Sequence, residues 1–351
     1  MGQLTRIAPY VRAALAAGVV VLIAGPWLFD NVGLTLLTEF FCLLVLALMW
    51  NLLAGYADIV SLGQHGFVGV GAYALYAFTV LAKLDPYTSI ILSGLIALLI
   101  AVPAMALVFR LRTVYLAVGT WVIAEVLMLL SGKLPGLGQG SGASLPVFVA
   151  RSLGADATTR FATIYWLALS LAVAAFATTF VLLRSRIGLG LTAMRDNEEA
   201  AGAMGVNLKR ARILCFLLTA PFLGLTGAII TLQKLRISPQ ASFSVNEWTV
   251  FVIFNVVIGG IGSLEGPIIG TLLFFVLREY LADVATWRLI ILGLLSIGIM
   301  LIEPRGLWGL FRRYLKFDLI FVSRHASREF TARIPLEATP KCSSGARHID
   351  C

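Results

Sequence analysis

Two carboxylates, Glu39 and Glu125, interrupt long apolar runs. A carboxylate in hydrocarbon costs a few kcal/mol unless it faces protein or water, so such a group either lines a solute path or makes an interhelical hydrogen bond. A proton or ion pump needs a chain of ionisable groups, whereas two isolated glutamates suit the passage of a small polar, net-neutral solute. The sequence has no GxxxxGK[ST] phosphate loop, no HExxH, no CxxC, no GxSxG and no paired carboxylates within one apolar block. His65, His325 and His348 are too few and too scattered for a metal cage. Cys42 and Cys215 sit in apolar runs while Cys342 and Cys351 lie in a polar tail, the pattern of inert small hydrophobes rather than of a disulfide framework. The expectation is no catalytic residue, no metal and no cofactor.

Other residues of interest lie around glycines. In Asn51 to Tyr73 the glycines Gly55, Gly63, Gly66, Gly69 and Gly71 break one apolar run and restart another, with Ser61, Gln64 and His65 between. Small residues let helices approach closely, and a helix broken at membrane depth also offers free N–H groups to a solute. Both readings stand. Asn51, Ser61, Gln64, His65 and Tyr73 are therefore candidate pathway residues together with Glu39 and Glu125. A second small-residue hinge, Gly259 to Gly270, also contains Ser-Leu followed closely by Gly.

The segment Arg195 to Gly205 is the most informative. Asp196 and Asn197 are placed to cap a helix whose first turn carries Glu198 and Glu199, the charge its dipole favours. Ala200, Ala201 and Ala203 leave that helix narrow, and Gly205 suits a left-handed stop. A short, capped, small-sided helix is shaped to enter a groove of another protein.

The elements that carry these residues are membrane spans. The chain has 351 residues, 59% hydrophobic and only 13% charged, roughly half the charged fraction of soluble domains. Apolar runs of about 20 residues, the length that crosses a bilayer core, predict spans at Val11 to Phe29, Val32 to Leu53, Gly66 to Ala82, Tyr87 to Phe109, Val114 to Ser131, Phe161 to Leu183, Ile213 to Gln233, Glu247 to Ile261, Pro267 to Leu281 and Trp287 to Ile302. The eighth and ninth are short enough to form a re-entrant pair instead. The fold class is all-α polytopic, with about eight to ten transmembrane helices. Ile90 to Phe109 is apolar on every side, which excludes the alternating pattern of a barrel.

Basic residues near helix ends resist translocation. With the N-terminus (residues 1–10) and the C-terminus both cytoplasmic, Arg110, Arg112, Arg184, Arg186, Arg195, Lys209, Arg210, Arg212, Arg305, Arg312, Arg313 and Lys316 all fall inside. Only isolated Lys83, Lys133, Arg151, Arg160, Lys234, Arg236 and Arg288 fall outside. The net charge of +9 is then explained by inner loops beside an anionic leaflet, and nucleic-acid binding is not expected. The basic lead of Arg6 and Arg12 resembles a signal peptide, but no small-x-small site follows before Trp27 and Phe29, so the first helix reads as retained. The transmembrane domain spans 11–310, with an outer loop at 132–160 and an inner segment at 184–212 that reads as one or two short helices. Residues 317–351 read as a disordered cytoplasmic tail.

Glu199-Ala200-Ala201-x-x-x-Gly205 resembles the EAA-type coupling loop of permease subunits in ABC importers. Asn51 to Tyr73, Arg195 to Gly227, Gly259 to Gly270 and Pro304-Arg-Gly-Leu-Trp-Gly309 resemble the LivM-type branch, the permeases of branched-chain amino acid importers with their urea and amide relatives. Two features depart from the pattern: Leu218 stands where proline is expected, with Pro221 three residues later, and Asp58 occupies a position expected to be small. The resemblance implies a non-enzymatic subunit of a bacterial inner-membrane importer. It also implies a second related permease, two cytosolic ATP-binding subunits and a periplasmic or surface-tethered binding protein. Asp196, Asn197, Glu198, Glu199, Ala200, Ala201 and Gly205 would dock on the ATPase, which binds the ATP. A urea or short-amide importer and a stand-alone secondary carrier are the alternatives.

Overall fold

The computed structural model describes residues 22–111, 113–138, 140–280, 285–303 and 306–315. The helices are α1 (Gly25–Leu28), α2 (Asn31–Asn51), α3 (Gln64–Tyr76), α4 (Pro86–Val108), α5 (Thr113–Lys133), α6 (Val147–Leu153), α7 (Ala157–Arg184), α8 (Arg186–Asp196), α9 (Glu198–Ala203), α10 (Leu208–Lys234), α11 (Pro239–Ser242), α12 (Phe251–Gly259), α13 (Gly266–Tyr280), α14 (Ala285–Ile302) and α15 (Gly306–Leu315). Wider π turns extend α2 through Leu52–Tyr56 and α3 through Ala77–Leu81, and lead into α12 from Asn246–Val250.

Six helical segments among the described residues are long and apolar enough to cross a membrane. They include α2 with its π turn, α4, α7 and α10, each at a position expected from its apolar run. Most of the expected first span and the tail from Phe317 lie outside the described residues, as do the histidines and cysteines placed there.

Local chemistry sets the helix starts. Asp30 accepts the Gly33 N–H at α2, Asp85 accepts the Tyr87 N–H just before Pro86 at α4, and an Asp156/Thr159 capping box opens α7. Helix α2 is the central element: Val45, Leu46, Leu48 and Met49 are fully buried, the all-round apolar pattern of an interior helix. It packs on α7, α10 and α13, while α10 packs on α3 and α4.

Glycines make the closest contacts. A Cβ on Gly71 would lie 2.0 Å from the Gly224 carbonyl oxygen, and one on Gly66 would lie 2.7 Å from the Ala124 Cβ. These positions in the glycine-rich stretch are packing positions.

The stretch 132–160, read from sequence as a loop, holds more. It contains α6 and a two-residue strand β1 (Ala143–Ser144), antiparallel to β2 (Arg236–Ile237) with Ala143 opposite Ile237. A two-residue strand is too short to carry a period-2 signal, and Gly136, Gly138, Gly140 and Gly142, all at positive φ, mask the short helix that follows.

The bundle thus has two ends. One carries α8, α9 and the hinges after α2 and α12, and the other carries the β1–β2 pair.

Candidate functional site

Helix α9 is six residues long. Asn197 Oδ1 accepts the Ala200 N–H at 2.9 Å, and Gly205 follows at φ +87 with open space around it, the left-handed stop expected there. Asp196 does not cap α9. It ends α8, and its carboxylate pairs with Arg195 at 2.9 Å. Glu199, Ala200, Ala203 and Met204 are exposed, Met204 at 85%. Ala201 faces the other way: it is 2% exposed, packed against its own chain because a helix this short turns one face inward. Beside α9 an apolar groove of about 600 Å³ runs along Leu189, Ala193, Met204, Ala211 and Leu214.

Two arginines tie this end to the hinges. Arg195 Nη1 donates to the Gly262 carbonyl at 2.9 Å, and its guanidinium lies 5.6 Å from the Tyr56 ring centroid. Arg212 pairs with Glu198 at 2.9 Å and Asp58 at 3.5 Å, and donates to the Ala57 carbonyl at 3.2 Å. Asp58 stands at φ +53, a left-handed conformation that suits the small residue expected there and that Asp tolerates better than most side chains.

The two small-residue hinges, distant in sequence, touch. Asn51 Nδ2 donates to the Ser263 carbonyl at 2.7 Å, and its Oδ1 accepts the Gly262 N–H at 2.8 Å. A Cβ on Gly55 would sit 2.6 Å from Gly262 N, so Gly55 must lack one. Gly262 itself takes φ +76. Asn51 is thus a clamp between hinges.

After Tyr56 the chain folds back along α2 instead of leaving the bundle. Trp50 Nε1 donates to the Ser61 carbonyl at 2.9 Å, and the Leu62 N–H donates to Thr120 Oγ1 at 3.0 Å. Thr120 is seven residues into α5, about 10 Å from its start. Helix α3 therefore begins inside the bundle, with buried irregular backbone ahead of it, an arrangement tolerated at depth only inside protein or against water. His65 Nδ1 is 3.1 Å from Thr249 Oγ1, and His65 Nε2 is 3.9 Å, beyond hydrogen-bond reach, from Glu125, whose carboxylate accepts from Trp121 Nε1 at 3.1 Å. Among the described residues, buried polar atoms without a hydrogen-bond partner include both amide atoms of Gln64 and of Asn255, His65 Nε2, the Tyr73 hydroxyl and Thr271 Oγ1. Orphans in a native core mark water, a ligand or a function.

The sequence candidates divide accordingly. Gln64, His65 and Glu125 gather at the start of α3. Ser61 accepts from the Gly63 N–H at 3.4 Å, and Tyr73 lies against Phe243 with ring centroids 5.8 Å apart. Glu39 is elsewhere, paired at 3.0 Å with Arg278. Sequence reasoning missed Arg195, Arg212, Thr249 and Gly262 as connected parts. No group of three or more His, Cys, Asp or Glu that could hold a metal occurs among the described residues.

Residues 33–302 match the family described as branched-chain amino acid transport system, permease component. The chain is 28% identical to the high-affinity branched-chain amino acid transport system permease protein LivM of Escherichia coli (strain K12), over 86% of this chain and 76% of the relative. It is 25% identical to a probable branched-chain amino acid transport permease protein LivM of Methanocaldococcus jannaschii, over 68% of this chain and 77% of the relative. A permease protein BraD of Pseudomonas aeruginosa is 27% identical over 38% of this chain and 43% of its own length. No solved structure matches.

Proposed function

The chain belongs to the branched-chain amino acid transport permease family, and from that premise we propose that it is the membrane-spanning subunit of an ATP-driven importer carrying leucine, isoleucine and valine across a bacterial cytoplasmic membrane. The branched-chain amino acid transport for which its relatives are named supports the solute. The working assembly contains a second related permease, two cytosolic ATP-binding subunits and a substrate-binding protein outside.

The observation that carries the mechanism is the double arginine tie between the α8–α9 segment and the two hinges. In this reading the α9 end is cytoplasmic. Glu199, Ala200 and Ala203 dock in a groove of the ATPase, Met204 and Leu189 supply an apolar rim, and Ala201 anchors α9 to its own chain. Closure of the ATPase moves α9. Arg195 carries the displacement to the Gly262 hinge, and Arg212 carries it to the Ala57 carbonyl and the Asp58 carboxylate. The hinges at the ends of α2 and α12 move together because Asn51 clamps them, and the buried start of α3, with Gln64 and His65, shifts with them. A packed, clamped junction of this kind has discrete arrangements rather than a continuum.

Cysteine cross-linking tests the docking. Ala203→Cys should form a disulfide with a cysteine introduced in the ATPase groove, in a yield that changes with ATP, while a cysteine at Leu95, exposed on α4, should not. Equal cross-linking at both positions would refute the docking role. The urea and short-amide reading shares the scaffold, and direct uptake of leucine against urea separates the two.

A further inference from the structure

Four charged side chains from four different segments meet near the β1–β2 end of the bundle. Glu39 of α2 pairs with Arg278 of α13 at 3.0 Å, and Lys234 at the end of α10 pairs with Glu247 of the π turn before α12 at 3.6 Å. Together they border one cavity of about 60 Å³, several times the roughly 10–15 Å³ that one water needs. Its remaining wall is apolar and includes Leu43, Ile230 and Phe251. The Lys234 ammonium also lies 5.3 Å from the Trp248 ring centroid.

We propose that this cavity is a subsite for a zwitterionic aliphatic amino acid on its way into the permease. Two carboxylates and two cations sum to zero charge, so a lone anion or cation meets as much repulsion as attraction. A molecule carrying one ammonium and one carboxylate on adjacent atoms can engage both kinds of partner. Glu39 or Glu247 takes the α-ammonium, Arg278 or Lys234 takes the α-carboxylate, and Leu43, Ile230 and Phe251 receive a branched aliphatic side chain. Arginine suits the carboxylate because its fork matches two oxygens. All four side chains remain 25–47% exposed around that open space, within reach of an entering solute. Glu39 lies eight residues inside α2, about 12 Å from its start, a depth at which charges are kept where they line a wet path.

The floor points inward as well. Phe251 packs on Phe274 with ring centroids 5.1 Å apart. One turn further toward the Gly262 hinge, on the same two helices, come Asn255 and Thr271, whose side-chain polar atoms have no partner. The cavity, an aromatic floor and unpartnered polar groups therefore follow one another along α12 and α13 toward the hinge held by Arg195.

This assignment rests on the importer reading, and the test separates the two. Tritiated L-leucine binding is measured on the full-length chain assembled with its partner permease and ATP-binding subunits in nanodiscs, without binding protein, and leucine uptake is measured in parallel in cells carrying the complete importer. Saturable binding displaced by L-leucine, but not by L-leucinamide or isovaleric acid, is the expected result. The neutral pair Glu39→Gln with Arg278→Gln should keep wild-type membrane abundance and weaken leucine binding about tenfold or more, the effect of losing a charge-assisted hydrogen bond. Glu39→Asp should retain part of the binding. Wild-type uptake accompanied by no saturable binding, by unchanged binding in the neutral pair, or by equal displacement with leucinamide would overturn the subsite and leave the importer reading standing. Absence of leucine uptake by the wild type would overturn the importer reading itself.

Discussion

Arg195 donates a hydrogen bond to the carbonyl of Gly262, 67 residues away, and so joins the last turn of α8 to the tip of the α12–α13 hairpin. The acceptor belongs to a residue at φ +76 whose N–H is held by Asn51. Three segments thus meet at one residue, Asn51 holding the N–H of Gly262 and Arg195 its carbonyl.

Replacing Arg195 by Ala should uncouple the assembly. The substitution removes a charge-assisted hydrogen bond worth about 1.5–3 kcal/mol without touching the exposed face of α9. The assembled importer should retain ATP hydrolysis while leucine uptake falls roughly tenfold or more. Arg195→Lys should rescue only partly, because an ammonium lacks the planar fork that meets both Gly262 and the Tyr56 ring. Parallel assays of phosphate release and uptake check this, and equal loss of both would count against it.

Asn51 should be a stability residue. Asn51→Leu leaves the buried Gly262 N–H and the Ser263 carbonyl without their partner, about 1–3 kcal/mol each. Thermal unfolding of the purified chain in detergent should shift downward. Asn51→Asp should not rescue, because it turns the donor that the Ser263 carbonyl accepts at 2.7 Å into a buried carboxylate oxygen.

Much of this was legible in the sequence, and the limits are physical. Apolar runs marked the positions of α2, α4, α7 and α10 because burial in lipid demands about 20 such residues. The cap at Asn197 and the stop at Gly205 were legible because both act within four residues. Arg195 and Arg212 were visible only as two of many cations expected at the inner face, since nothing local distinguishes an arginine that reaches a carbonyl 67 residues away from one facing lipid headgroups. The inward face of Ala201 was hidden because six residues give no periodicity to read. The partnership of Glu39 with Arg278 joins two helices 239 residues apart, beyond any spacing rule.

Glycine substitutions should divide sharply by location. Gly71→Ala brings a Cβ to 2.0 Å from the Gly224 carbonyl oxygen, so α3 and α10 must separate, and the variant should lose more than the roughly 1–3 kcal/mol usual for overpacking. Gly293→Ala meets no atom within 4 Å and should be neutral or up to about 1 kcal/mol stabilising through the unfolded chain. Membrane abundance and detergent melting curves read both. Equal behaviour would mean that the α3–α10 contact is not as close as described.

Thr249→Val should loosen the start of α3. The hydroxyl lies 3.1 Å from His65 Nδ1 and 3.4 Å from the His65 N–H and the Leu62 carbonyl, so its loss leaves several buried groups unsatisfied. Uptake should fall by about tenfold, whereas Thr249→Ser, which keeps the hydroxyl, should stay near wild type. A Val variant as active as wild type would show that the Thr249 hydroxyl does not hold the start of α3.

The most direct measurement is ATP-dependent L-leucine accumulation in proteoliposomes containing the complete importer, with wild-type chain or with Ala203→Arg, whose bulky charge projects from the exposed side of α9. The predicted result is accumulation by the wild type that requires both ATP and the ATP-binding subunits, and none by Ala203→Arg at equal chain content. Uphill leucine accumulation by this chain alone, or undiminished accumulation by Ala203→Arg, would contradict the account.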